Sequence, residues 1–268
     1  CLARRAVPPC RGLELWLPVA ASAWKGDSMP LSDRAMNMLD QLQLDGLGQR
    51  PLGFVCHSLG GLLVKQALRS ARDLGDNRFA PICESTRFIL FLATPHHGSS
   101  LANWIKHLGT LLRTTVTIDE LQQHHPRLRE LNQWYRNNVH ELKIDTYVYF
   151  ENLKTNGVQV VDAASADPGI PGVSPIGVDF DHVTICKPST RQERIYRRTE
   201  QILDHFFSGR PAKPLGGPPV SYAPAGGPHQ RDLIQRSAVE EKFDRALSSG
   251  CPIINIFGPS GRGNPRCS

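Results

Sequence analysis

Between residues 51 and 68 the chain reads PLGFVCHSLGGLLVKQAL, a short apolar run and a longer one joined by Cys56-His57-Ser58-Leu59-Gly60-Gly61. Almost no polar residue lies outside that junction. A run of strand length feeding one of helical length predicts a buried strand, a sharp turn and a buried helix. Upstream, LELWLPVA at 13–20 has strand character, which Pro18 confines to an edge or a strand end. Ser32 is placed as an N-cap, and Ala35, Met38, Leu39 and Leu42 keep helical spacing until Gly46 and Gly48 end it. Downstream, residues 88–93 form a continuous apolar run of the kind found in parallel sheets covered on both faces. From 101 to 142 helical spacing prevails, with Leu121, Leu128, Leu131 and Tyr135 on one face and Pro126 at a break or first turn. Strands are predicted at 144–150, closed by Glu151, at 158–161, with Asp162 opening its loop, and more weakly at 176–179, leading to His182. A helix is predicted at 191–207. Strands alternating with helices in this order predict a right-handed, doubly wound, mostly parallel α/β sheet.

Composition divides the chain. At 268 residues with 40% hydrophobic content it is globular and long enough for a full core, which the pattern confines to residues 1–207. Residues 208–230 are dense in Pro, Gly and Ala and read as a linker. A helix at 232–247 and a strand at 252–257 then open a second domain, 231–268, that stops early. The formal charge of +6 comes from basic residues spread along the chain, which predicts a solvated basic surface and no nucleic-acid partner. No apolar run reaches membrane-spanning length and no apolar segment follows the N-terminal arginines, so neither a span nor a signal peptide is expected. Peripheral contact with a membrane remains compatible with the composition. Seven cysteines without a C-x-x-C pair predict free thiols in a reducing, intracellular compartment, cytoplasmic or organelle-associated. No cofactor or metal is expected, since no histidine or cysteine has ligand spacing.

The chemistry concentrates at the junction. A serine at the tip of a strand-to-helix corner is a nucleophile elbow: the corner exposes Oγ, and the next backbone N–H, here that of Leu59, faces a developing oxyanion. Ser58 is the candidate nucleophile; Gly60 fits the G-x-S-x-G pattern and Cys56 replaces its first glycine. A serine hydroxyl needs an imidazole base, and that imidazole a carboxylate on its other nitrogen. Among ten histidines, His182 follows the last core strand, where the base belongs. The acid is Glu151, at the end of one strand, or Asp162, at the end of the next; Glu151 is preferred and Asp162 is the alternative.

Four segments, FVCHSLGGLLVKQAL, FLATPHHGSSLANW, VVDAASADPG and DHVTICKP, occur in an order that resembles the lipase-like serine esterases akin to GPI inositol-deacylase and the serine-active-site-containing proteins. The resemblance covers about residues 13–207. It implies an α/β-hydrolase fold, Ser58 and His182 in their usual roles, and an ester or lipid-ester substrate. Members carry a further strand upstream, ending in a His-Gly loop that completes the oxyanion hole. Without it the sheet is expected to lack its N-terminal strands, to leave a gap or an open edge beside the elbow strand, and to keep only the Leu59 N–H as donor. The sequence GPSGRGNP from Gly258 to Pro265 resembles a P-loop, as at the start of a signalling NTPase. Asn264 and Pro265 stand where Lys and Ser/Thr would hold phosphate and magnesium, so the tail is not expected to bind nucleotide. The expected function is a serine esterase or lipase; the alternative is a non-catalytic or weakly active effector or scaffold module of a nucleotide-dependent signalling protein.

Overall fold

The computed structural model describes residues 30–96, 125–207 and 253–256. The strand expected at 13–20, the helical stretch at 101–124, the linker, the helix at 232–247 and the glycine-rich tail lie outside the described residues. In chain order the elements are α1 (Leu31–Leu44), β1 (Leu52–His57), α2 (Leu59–Asp73), α3 (Ala80–Ser85), β2 (Thr86–Leu92), α4 (His125–Asn138), β3 (Asp145–Glu151), α5 (Ala163–Ala166), β4 (Ile176–Val178), α6 (Arg194–Phe207) and β5 (Ile253–Ile256). The strands form one sheet in the order β4-β3-β2-β1-β5, and every neighbouring pair is parallel. This is an α/β architecture.

Apolar runs explain the centre of the sheet. Five of the six residues of β1 and six of the seven of β2 are buried, which a strand achieves only when both faces are covered. Phe54, Cys56, Phe88, Ile89, Leu90 and Phe91 are all at most 1% exposed. Each such large apolar side chain contributes about 1.5–3 kcal/mol on leaving water. The α1 stripe Ala35, Met38, Leu39 and Leu42 is buried as its spacing predicts. Parallel register then does the positioning. Cys56 lies opposite Phe91, Leu92 opposite Tyr149, and Glu151 opposite Val178, so β1, β2 and β3 end side by side at one edge of the sheet. In open α/β sheets, ligands bind outside these carboxyl ends.

Several local expectations fail, each for a visible reason. Helix α1 begins at Leu31 after Pro30, whose carbonyl accepts from the amides of Asp33 and Arg34. Ser32 is therefore inside the first turn, its hydroxyl on the Asp33 carboxylate, and caps nothing. The segment 158–161 is no strand. Asn156 and Gly157 both take positive φ, +50° and +83°, the signature of a two-residue Asn-Gly reversal, and Thr155 pairs antiparallel with Val158 in a single bridge. Val160 and Val161 are buried but outside any ladder. Helix α6 starts three residues later than expected, because the Glu193 carboxylate accepts the amides of Ser189 and Thr190 and closes that stretch as a turn. The edge of β1 expected to be open carries β5, with Gly53 opposite Ile253 and Cys56 opposite Ile256.

Candidate active site

The elbow is built by local sequence. Strand β1 ends at His57, helix α2 starts at Leu59, and Ser58 between them is held at φ 53°, ψ −124°. A non-glycine residue at positive φ stores on the order of 1–3 kcal/mol of strain, which persists only where the surroundings hold it. Here the Ser58 N–H donates to the Leu92 carbonyl, while the Ser58 carbonyl accepts from the Gly61 N–H and from Thr94 Oγ1 at 3.0 Å. Thr94 can come this close only because residue 61 is glycine. A Cβ at Gly61 would lie 2.5 Å from Thr94 Oγ1 and 2.8 Å from the Phe91 ring. Cys56, in place of the motif's first glycine, is fully buried in β1, and burial pushes its thiol far above the ordinary range, so it is an inert packing group. Leu59 is the first residue of α2, and the N–H of such a residue has no partner within its helix.

Three side chains far apart in sequence converge on this corner. His182 Nε2 lies 3.0 Å from Ser58 Oγ, and His182 Nδ1 lies 3.2 Å from Glu151 Oε1. Since a carboxylate only accepts, Nδ1 carries the ring proton and Nε2 is left to accept the serine O–H. All three side chains are buried. Glu151 Oε1 also accepts the Val161 N–H at 2.6 Å, and the Thr155 hydroxyl takes the His182 N–H at 2.9 Å. The 152–161 segment, of which 158–161 is expected as a strand, thus supplies a donor to Glu151 and an acceptor to His182. The Asp162 carboxylate is engaged elsewhere. It caps α5, accepting from the Ser165 amide at 2.7 Å and the Ser165 hydroxyl at 2.6 Å, and these bonds hold it below the usual carboxylate range. Asp181 is likewise local, accepting from the amides of Val183 and Thr184. No group of histidine, cysteine or acidic side chains fit to hold a metal ion occurs among the described residues. None of their helices is long and apolar enough to cross a membrane.

Two features at this corner carry no signal in the sequence reading. His57 precedes the serine and donates Nε2–H to the His182 carbonyl at 2.7 Å, with the two rings 5.1 Å apart. Burial, and then the neighbouring His182, lower its pKa to about 3, so it is neutral. Its Nδ1 has no hydrogen-bond partner among the described residues. Lys65, two turns into α2, is fully buried, and burial drives its amine well below the ordinary lysine range. A lysine inside the apolar stretch LLVKQAL is the only mark either leaves in the chain.

Comparison with known proteins places this arrangement in context. No protein-family model matches the chain. It is 35% identical over 188 residues to Protein SERAC1 of Danio rerio, covering 68% of this chain and 28% of that protein. Against Protein SERAC1 of Homo sapiens the identity is 30% over 205 residues, 73% of this chain and 31% of the relative. The Bos taurus protein of the same name is 30% identical over 208 residues. The chain thus spans less than a third of the length of these relatives, and over that span it is homologous to SERAC1.

Proposed function

We propose that this chain is a serine hydrolase of carboxylic esters, built on an α/β-hydrolase fold, with Ser58 as nucleophile, His182 as base and Glu151 as the orienting carboxylate. One observation carries the reading: a single hydrogen-bonded chain runs from Ser58 Oγ through both ring nitrogens of His182 to Glu151. Its order, hydroxyl to imidazole to buried carboxylate, is what activation of a serine requires. In the first half-reaction Ser58 Oγ attacks the acyl carbon while its proton passes to His182 Nε2, and the carbonyl oxygen gains negative charge against the Leu59 N–H. The imidazolium, stabilised by Glu151, returns that proton to the departing alkoxide, leaving an acyl-serine. Water then repeats the sequence with His182 as base, releasing the acid. A lipid as the alcohol or acyl part rests on the resemblance to lipase-like esterases and on homology to SERAC1.

Labelling with a fluorophosphonate probe, together with hydrolysis of p-nitrophenyl esters of graded chain length, tests this reading. Ser58→Ala is expected to abolish labelling and to lower ester turnover by about a thousandfold or more. Labelling that survives the substitution, or a wild-type protein that never labels while folded, would return the chain to the non-catalytic module.

A further inference from the structure

Beneath the elbow lies a second buried polar group, made by α2, the turn after β2, and α4. Lys65 Nζ stands 2.5 Å from His96 Nδ1 and donates to Asn132 Oδ1 at 2.7 Å. It lies over the faces of Phe91 and Tyr135, at 5.2 and 5.0 Å from the ring centroids. Neither hydrogen-bond partner is anionic. Cys56, whose thiolate would favour an ammonium, is a thiol that burial keeps protonated. The ring faces favour an ammonium, while removal of the amine from water lowers the Lys65 pKa well below the ordinary lysine value.

Each partner of this amine is tied to the site. His96 sits two residues beyond Thr94, whose hydroxyl holds the Ser58 carbonyl. The His96 N–H donates to the Ser165 carbonyl at 2.6 Å, and Asn132 Nδ2 donates to the Pro168 carbonyl at 3.3 Å. Both acceptors lie in the segment that follows Val161, whose N–H holds Glu151. The amine therefore joins the turn on the nucleophile's side to the loop on the carboxylate's side, within a core too tightly packed to adjust when one member is lost.

We propose that Lys65, with His96 and Asn132, forms a positioning cluster for the hydrolysis, pinning the 93–96 turn against the Ser58 elbow and the 162–168 segment against Glu151. The inference rests on the serine-hydrolase reading. A group that acts by holding geometry changes the rate at which correctly folded sites react, because misplacement near the reacting atoms is amplified in the transition state. It does not change how many sites there are.

The test measures fluorophosphonate labelling to completion together with kcat and KM for a p-nitrophenyl ester. For Lys65→Met, the completed labelling is expected to match wild type while the labelling rate and kcat fall about tenfold and KM stays within about twofold. His96→Gln keeps a side-chain acceptor for the amine and is expected to lose less than about threefold, whereas His96→Leu falls about tenfold. A Lys65→Met protein with wild-type kcat, or one whose loss lies wholly in the number of labelled sites, overturns the proposal. If Lys65→Met does not fold, equal losses for His96→Gln and His96→Leu overturn it instead. Failure of the hydrolase reading is separate: it appears as labelling in Ser58→Ala or none in wild type.

Discussion

Two buried histidines, His182 above the elbow and His96 beneath it, stand in opposite electrostatic settings. At His182 one ring nitrogen faces a hydroxyl and the other a carboxylate, so a proton arriving on the ring is met by Glu151. At His96 the Nδ1 nitrogen faces the Lys65 amine, itself hydrogen-bonded to an amide oxygen. A proton on that nitrogen would face the amine rather than a carboxylate. What separates a candidate base from a structural clamp is thus the group across the ring, not the histidine or its burial.

The comparison breaks most readily at the carboxylate. Glu151→Gln keeps the shape and removes the charge, so under the proposed reading kcat should fall by about a hundredfold or more. Asp162→Asn should leave kcat within about threefold, because that side chain serves α5. Ester kinetics on the pair decide between them, and a larger loss in Asp162→Asn would reverse the assignment.

A smaller effect sharpens the tie between serine and base. His57→Leu removes the only side-chain donor to the His182 carbonyl among the described residues and should lower kcat about tenfold. His57→Gln can restore an N–H donor and should recover most of that loss. Equal rates in the two variants would reduce His57 to a packing residue.

Acid should expose the clamp through stability. Lys65 and His57 both have lowered pKa values in the folded state, so the unfolded chain binds more protons and stability falls as pH falls. For His57 the window runs from the unfolded value of about 6.5 down to about 3. For Lys65 it opens below the ordinary lysine value of about 10.4. Chemical denaturation of Lys65→Met across pH 6–10 should therefore show its stability improving relative to wild type as pH is lowered. A difference independent of pH would mean that Lys65 is charged in the folded protein.

Among the described residues, the sequence alone determined whatever depends on neighbours in the chain. The β1–Ser58–α2 corner, the α1 stripe and the parallel core were legible because apolar periodicity records which face is buried, and a strand-to-helix turn needs only a few consecutive residues. Glu151 was read as a strand end for the same reason. Tertiary structure alone decided which carboxylate meets His182, since Asp162 and Glu151 both follow apolar runs, and only Glu151 finds a partner far along the chain while Asp162 closes on Ser165. It also decided the fate of 158–161, where three valines look like strand but an Asn-Gly reversal turns the backbone toward Glu151. The roles of His57 and Lys65 were invisible for a deeper reason. A polar residue in an apolar run has no direction in one dimension, and only the packed neighbours set whether its hydrogen bonds end on a carbonyl, an amide or a second histidine.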